Sequence, residues 1–254
     1  MKVLAFTSGL KGGTGKTTLA VNAAVIMAYA YREKAKYPVV LLDLTPGLGT
    51  AAILMLGSYN AEGMASLSSY LEGSLIDPLQ ALYLRTWQTA KGSFNVVFAF
   101  MGKAVALSKR ALESLLRHID NRLKPIAAVI DAPPLGQGSP IQGLVDYVVP
   151  VVVPDISAIS TASQISGVLG GRRLKPILNM YVKEFGVVGI YGKDWAEIVR
   201  DAFGEEPHVI PFDPLFGASR QALEVEALKL SPSESPGLSA LMEYARYLLA
   251  QLSS

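Results

Sequence analysis

A glycine-rich segment near the start of the chain carries residue types that bind phosphate. Residues 11–18 read Lys-Gly-Gly-Thr-Gly-Lys-Thr-Thr, after an apolar run and before a helix-forming stretch. Glycines let backbone N–H groups converge on an anion because no Cβ intervenes, and a helix N-terminus adds partial positive charge. Lys16 is placed to reach β- and γ-phosphates, and the Thr17 hydroxyl to bind Mg²⁺. The spacing predicts a nucleotide site formed by Lys11, Gly12, Gly13, Thr14, Gly15, Lys16, Thr17 and Thr18.

This segment departs from the general phosphate-loop pattern in two ways. The pattern has a glycine five residues before Gly15, where this chain has Leu10, with Gly9 one residue earlier. Lys11 is a second lysine that ordinary phosphate loops lack. The alternative interpretation, a glycine-rich turn that only joins a strand to a helix, does not require two lysines at these positions. The departures therefore indicate a particular subgroup of phosphate loops.

The elements that must position this loop alternate along the chain. Apolar runs predict strands over residues 2–7, 39–43, 94–100, 127–131, 147–153, 176–180 and, more briefly, 208–210. Most of these runs lack alternation, which is typical of strands buried on both faces. Helices are predicted over residues 17–36, 104–122, 193–203 and 236–252, with Ser235 as the N-cap of the last and Pro236 at its first position. The pattern predicts one α/β domain, residues 1–254, with a mostly parallel central sheet flanked by helices on both faces.

Composition narrows the function classes. The 23 Lys and Arg residues nearly balance the 21 Asp and Glu residues, so general attraction to nucleic acid or anionic lipid is not expected, although a local patch can occur. The absence of cysteine excludes disulfides, thiolate catalysis and cysteine-bound metal clusters. The longest apolar helical stretch, residues 19–31, contains Asn22 and is shorter than the ~20 residues of a membrane span. Without a signal-peptide pattern at its start, the chain is expected to be soluble and cytoplasmic.

The sequence resembles the ParA/MinD family of deviant Walker A P-loop ATPases. The family signature is lysine, two glycines, any residue, glycine, lysine, then Ser or Thr, and residues 11–17 match it fully. Residues 39–47 resemble the second motif of the family, and residues 129–134 its Walker B strand with the switch that follows. Residues 153–157 are similar to a segment of the MinD branch. Residues 178–179 and 210–213 lie where the family holds adenine.

This resemblance implies ATP or ADP and Mg²⁺ as cofactors, and roles for particular residues. Asp131 would hold Mg²⁺ through water, and Asp43 would support the metal and the switch region. Lys11 would reach across a homodimer interface formed on ATP binding, stabilising charge on the partner's nucleotide much as an arginine finger does. The adenine contacts would come from Asn179, Pro211, Phe212 and Asp213. The alternatives are that both carboxylates merely end strands, that Asn179 is a turn residue, and that Pro211 and Phe212 only pack.

Thr45 is the clearest departure from the family. The second motif usually carries two aspartates, of which the second positions the attacking water, and here that position is Thr45. A neutral hydroxyl is a weak proton acceptor, but phosphoryl transfer depends mainly on positioning and electrostatics. We therefore expect intact ATP binding and slow or partner-stimulated hydrolysis, unless another carboxylate replaces the missing one.

The sequence leaves three functions open, which differ in the partner that the protein would bind. ParA-like proteins bind DNA non-specifically and are triggered by a ParB-like activator, and MinD-like proteins bind membrane through a basic amphipathic helix. Residues 103–124 hold six Lys or Arg, with Arg110, Arg117 and Lys124 on one stripe, which suits phosphate contact but is also typical of a solvated face. The polar face of 236–252 carries only Arg246 as a cation, which disfavours a membrane role. The alternatives to DNA segregation are intracellular positioning, including positioning at a membrane site, and a catalytically weak ATP-binding regulatory module.

Overall fold

The computed structural model describes residues 1–134, 138–185, 187–188 and 192–253. The strands are β1 (Lys2–Thr7), β2 (Val39–Asp43), β3 (Tyr83–Thr89), β4 (Gly92–Phe100), β5 (Ala127–Asp131), β6 (Tyr147–Val152), β7 (Arg172–Arg173), β8 (Ile177–Tyr181), β9 (Val187–Val188), β10 (Lys193–Asp194) and β11 (His208–Pro211). The α-helices are α1 (Lys16–Ala30), α2 (Thr50–Leu56), α3 (Leu67–Leu71), α4 (Lys109–Leu123), α5 (Ile156–Val168), α6 (Trp195–Phe203), α7 (Pro214–Gln221), α8 (Glu226–Lys229) and α9 (Pro236–Ser253). Two short 3₁₀ helices span Pro78–Ala81 and Lys183–Phe185.

Nine strands form one mostly parallel sheet. Their order is β11-β8-β6-β1-β5-β2-β4-β3, with β7 pairing beside β6, and β3 alone runs antiparallel to its neighbour β4. The strands β9 and β10 form a separate antiparallel pair. This arrangement confirms the predicted fold class.

Helices cover both faces of this sheet because each central strand is apolar on both sides. Val39 and Leu41 belong to the same apolar core as residues of α1, α2 and α9, whereas Val40 and Leu42 belong to a second core that includes residues of α4. Successive side chains of a strand point to opposite faces, so an unbroken apolar run serves two cores.

Several boundaries differ from those predicted. The first helix begins at Lys16 and ends at Ala30 rather than 36, because the chain turns after Tyr31 into a polar segment. The helix predicted over 104–122 is α4, and it begins at Lys109 rather than 104. The Ser108 hydroxyl caps its start by accepting from the Ala111 N–H at 3.1 Å. The remaining boundaries shift by a few residues at most: β4 begins at 92, β6 ends at 152, β8 spans 177–181, and α6 begins at 195 because 193–194 pair with β9.

The last helix packs on the sheet, as predicted. Its apolar face is buried against β11 and α1 through residues such as Leu241, Tyr244 and Leu248. The Ser235 hydroxyl accepts from the Leu238 N–H at 3.0 Å, which confirms the predicted N-cap. Among the residues that the structure describes, no helix is long and apolar enough to span a membrane.

The parallel arrangement fixes where the candidate site lies. In the sheet, Asp43 at the end of β2 lies opposite Asp131 at the end of β5, and Asp131 is also opposite Phe6 of β1. The glycine-rich loop leaves the adjacent end of β1. Ligands bind at this carboxyl edge in open α/β sheets, and the fold brings both carboxylates and the loop to it.

Candidate nucleotide site

The loop before α1 takes a conformation that requires glycine. Gly13 and Gly15 have φ values of +74° and +78°, in the left-handed region that side chains disfavour. A Cβ at Gly15 would also collide with the side-chain amide of Asn179, whereas one at Gly12 or Gly13 would meet nothing within 4 Å. The loop is thus packed against Asn179 at Gly15, whereas its backbone at Gly12 and Gly13 faces open space.

Two neighbouring cavities open at this loop. The first, of about 240 Å³, is lined by Ser8, residues 11–18, Thr45, Thr50, Pro134 and Arg220. The second, of about 230 Å³, is lined by Gly13, Gly15, Thr18, Asn179, Met180, Pro211, Phe212, Asp213, Phe216, Gly217 and Arg220. The predicted phosphate residues line the first and the predicted adenine residues the second, and the two share Gly13, Gly15, Thr18 and Arg220. A wider and more open cavity of about 640 Å³ lies near Ser108 and Gly143. None of the predicted phosphate or adenine residues lines it, so it is not the candidate nucleotide site although it is larger.

Lys16, which lines the first cavity, forms a buried ion pair with Asp131. Lys16 Nζ lies 2.5 Å from Asp131 Oδ1, and the two residues are 8% and 0% exposed. The second oxygen, Asp131 Oδ2, is buried without a hydrogen-bond partner among the described residues. Buried polar atoms are normally satisfied, so this carboxylate is set up to accept a further ligand.

The donor groups at this end of the sheet suit Mg²⁺. The hydroxyl of Thr17, which lines the first cavity, and the carboxylate of Asp131 would hold the ion. Mg²⁺ prefers oxygen ligands and is usually held by one or two protein groups together with substrate phosphates.

Asp43 has a structural role beside this pair. Its Oδ1 accepts from the Thr45 N–H at 3.0 Å and its Oδ2 from the Ala52 N–H at 3.3 Å, which ties the end of β2 to the first turn of α2. A Cβ at Gly49 would overlap the carboxylate. Burial, followed by the charge of Asp131, raises the pKa of Asp43 to about 6, although hydrogen bonds from Thr45 and Ala52 oppose the shift.

This raised pKa predicts a pH-dependent stability. The folded protein holds the Asp43 proton up to about pH 6, whereas the unfolded chain releases it near 3.8, so the contribution of Asp43 to stability falls as pH rises through this window. Asn at this position does not titrate. We expect the free energy of unfolding of D43N, relative to wild type, to rise by on the order of 2 kcal/mol between pH 4 and 6.5, measured by urea denaturation without nucleotide.

Replacing an exposed carboxylate, Glu62→Gln, is the matched control and should give a flat difference across the same range. A flat difference for D43N as well would show that Asp43 is ionised throughout and would remove this account of its environment.

Lys11 lies at the mouth of the first cavity in an ion pair within its own chain. Its Nζ is 3.4 Å from Asp155 Oδ2 and 3.5 Å from Ser157 Oγ, and the lysine side chain is 44% exposed. Asp155 also caps α5 by accepting from the Ala158 N–H at 2.7 Å. Hydrogen bonds from Ser157 and Ala158, with a smaller effect of Lys11, lower the pKa of Asp155. Exposed ion pairs contribute little, so Lys11 can leave this contact for a stronger anion at low cost.

The residues predicted to hold adenine divide into two kinds. Asn179 lies within β8 rather than in a turn, and its side-chain amide donates to the Thr14 carbonyl at 2.8 Å, which fixes the loop. Asp213 is buried and accepts from the Leu215 N–H, the Ser235 hydroxyl and the Gly237 N–H, so it joins the starts of α7 and α9. Phe212 is 57% exposed and lines the second cavity, so it is not simple core packing.

Sequence reasoning missed Thr50 and Arg220 among the residues that line the first cavity, whereas Pro134 lies in the segment 129–134 that the family resemblance singled out. Thr50 opens α2, and Arg220 comes from the last turn of α7. Neither of these two belongs to a spacing pattern around a predicted strand or loop. Only the tertiary arrangement brings them to the cavity.

Comparisons with known proteins identify the fold. The structure is similar to MinD in the MinC:MinD cell division complex of Aquifex aeolicus, with 22% identity, a TM-score of 0.75, and coverage of 98% of this chain and 96% of that one. It is also similar to the septum site-determining protein MinD of Pyrococcus horikoshii, solved with Mg-ADP, with 21% identity, a TM-score of 0.75, and coverage of 100% and 98%. A ParA family ATPase from Chlorobium tepidum gives 15% identity, a TM-score of 0.66, and coverage of 98% of each chain. No protein-family model and no curated protein sequence matches the chain. The chain therefore has the P-loop fold of the MinD and ParA ATPases over nearly its whole length.

Proposed function

We propose that the chain is an ATPase of the ParA/MinD type that binds Mg·ATP in a single domain and dimerises when ATP is bound. It would act in DNA segregation or in intracellular positioning, with slow or partner-stimulated hydrolysis. The observation that carries the proposal is the convergence of Lys11, Lys16 and a glycine-rich loop on one cavity that adjoins a second, partly apolar one. A nucleotide has the matching chemistry, an anionic chain attached to a planar base.

The ion pair between Lys16 and Asp131 indicates how these two residues would respond when a nucleotide binds. Lys16 and Asp131 neutralise each other in the nucleotide-free protein. With a nucleotide bound, Lys16 would pair with a phosphate, and Asp131, whose Oδ2 has no hydrogen-bond partner among the described residues, would help to hold Mg²⁺. Mg²⁺ supplies charge neutralisation at the phosphates when bound. Lys16 and Asp131 would lose their mutual ion pair, but each would gain a new one, with phosphate and with Mg²⁺ respectively. Neither buried charge would then be left unpaired.

Slow hydrolysis is inferred from the surroundings of Thr45. This residue lines the first cavity, and its backbone N–H donates to Asp43, whose oxygens accept from Thr45 and Ala52. The side chain at the position expected to orient water is therefore a neutral hydroxyl. A neutral hydroxyl is a weak proton acceptor and can position water only weakly.

ATP-dependent dimerisation is the direct test of the switch. With Mg·ATP or a slowly hydrolysed analogue, the wild type should sediment as a dimer, whereas K11A should dimerise roughly tenfold more weakly because it lacks a charge-assisted contact to the partner's nucleotide. Its affinity for ATP as a monomer should change little. Analytical ultracentrifugation with and without nucleotide measures both species.

An exposed lysine remote from the site, Lys91, provides the control K91A, which should dimerise like the wild type. Equal dimerisation of K11A and wild type, or a wild type that binds ATP and stays monomeric, would contradict the proposed switch.

The second candidate function is a catalytically weak ATP-binding module that regulates a partner protein. The neutral side chain of Thr45 favours it, since the same dimer would then form without turnover. ATP-induced dimerisation with no phosphate release and no DNA binding would support this candidate over the first.

The choice between DNA and membrane partners rests on two surfaces. Arg110 of α4 and Lys124, which directly follows this helix, are exposed, but Arg117 pairs with Glu113 at 2.9 Å, so the stripe is partly neutralised. The apolar face of α9 is buried in the core and is not free for lipid. An ATP-dependent, salt-sensitive shift of random duplex DNA would support segregation with a ParB-like activator, and ATP-dependent pelleting with anionic liposomes would support a membrane site.

A further inference from the structure

Arg220 is a cation at the nucleotide cavities that no sequence motif includes. It lies in the last turn of α7, and it lines the phosphate cavity, the adjoining base cavity and a third of about 190 Å³ beside Thr50 and Tyr59. Its guanidinium forms no hydrogen bond or ion pair within the part of the chain that the structure describes. Its charge acts on the buried Glu226, where it is the smallest of the effects that oppose a raised pKa.

The position of Arg220 along the bound nucleotide follows from which residues line which cavity. Lys16 and Thr17, the groups suited to the β- and γ-phosphates and the metal, line only the phosphate cavity. Thr18 and Arg220 line both cavities. The part of a nucleotide that lies between its β-phosphate and its base is the α-phosphate with the ribose, so Arg220 stands at that junction.

The fold holds the helix that carries Arg220 in place. Asp213 caps its start by accepting from the Leu215 N–H at 2.9 Å, and Asp213 is itself fixed by the Ser235 hydroxyl at 2.6 Å. The arginine is therefore presented from an anchored helix, although its own side chain is exposed and unpaired. A flexible cation on a fixed base can close over an anion after it binds.

We propose that Arg220 contacts the α-phosphate of the bound nucleotide and makes the site selective for nucleoside di- and triphosphates over nucleosides. This inference rests on the proposed nucleotide site. A guanidinium suits the role because it remains charged and can donate two parallel hydrogen bonds to phosphate oxygens. Such a contact is present with ATP and ADP alike, so it strengthens binding of both.

Isothermal titration of wild type, R220Q and R220K with Mg·ATP, Mg·ADP and adenosine tests the assignment. We expect R220Q to bind ATP and ADP each roughly tenfold more weakly, with R220K between R220Q and wild type, and adenosine binding unchanged. The salt dependence of ATP binding should also be shallower in R220Q, because one cation–phosphate contact is lost. R110Q, which removes an exposed arginine from α4, should match the wild type, and melting curves without nucleotide confirm that each variant is folded.

Three outcomes would overturn the inference. Unchanged ATP and ADP affinities in R220Q would show that the arginine does not touch phosphate, and equal weakening of adenosine would place it on the base or ribose. A loss confined to ATP would place it on the γ-phosphate. Each of these is distinct from failure of the proposed function, which would appear as a wild type that binds no Mg·ATP.

Discussion

Replacing Lys16 with methionine is expected to lower the affinity for Mg·ATP at least ~100-fold, the largest effect of any single change in the site. The same substitution should destabilise the nucleotide-free protein, because it leaves Asp131 buried with neither oxygen paired to a cation. Breaking a buried ion pair from one side costs roughly 3–5 kcal/mol. The two losses have different causes, and a second substitution separates them.

The double variant K16M/D131N removes the orphaned charge. We expect it to recover most of the lost stability in urea denaturation while remaining unable to bind nucleotide in calorimetry. K91M, at an exposed lysine, should match the wild type in both measurements. A K16M protein that binds Mg·ATP normally would exclude this loop as the phosphate site, and a K16M protein as stable as wild type would show that the pair with Asp131 contributes little.

Replacing Thr45 with aspartate is expected to raise the rate of ATP hydrolysis roughly 10–100-fold, because a carboxylate at this position can orient and polarise the attacking water. The change also has a cost. A third carboxylate beside Asp43 and Asp131 adds like-charge repulsion at this end of the sheet. T45D should therefore be faster and less stable than the wild type in the absence of nucleotide.

Phosphate release at saturating Mg·ATP, with and without duplex DNA, measures this effect. T45N has the shape of aspartate without its charge and should stay near the wild-type rate. The explanation from Thr45 would be wrong if T45D were no faster, or if purified wild type alone turned over at on the order of 10 per second or more.

The buried strands were predictable from sequence because their pattern is local. The runs at 2–7, 39–43 and 127–131 are apolar except at their end residues, and the observed strands β1, β2 and β5 have the same bounds. A parallel sheet places Asp43 and Asp131 at the same edge, since the ends of parallel strands meet there, but only the structure shows that their two strands are neighbours. The glycine loop was predictable because its conformation and chemistry both demand particular residues at fixed spacing.

Elements with weaker local signals were missed. β3 is an edge strand that pairs only with β4 among the described strands. Most of its residues are partly or fully exposed, so its sequence, Tyr-Leu-Arg-Thr-Trp-Gln-Thr, lacks the apolar run of a buried strand. α5 is rich in serine and threonine, which have poor helix propensity, and its start depends on the Asp155 cap. The short helices α2, α3 and α7 are held by tertiary contacts rather than by their own periodicity.

Site details that depend on distant residues could not be derived from sequence. The bond between Lys16 and Asp131 joins residues 115 positions apart, and the bond from Asn179 to the Thr14 carbonyl spans 165. The capping of two helices by Asp213 likewise required the fold. These contacts changed the expected role of Asp213 from an adenine contact alone to a structural junction that shapes the cavity.

Calorimetric titration of the wild-type chain with Mg·ATP tests the central claim most directly. The account predicts one nucleotide bound per chain, with micromolar or tighter affinity, on the order of −8 kcal/mol, and loss of this binding in K16M. A folded wild-type protein that gives no heat of binding with excess Mg·ATP or Mg·ADP, and no rise in melting temperature with either, would contradict it.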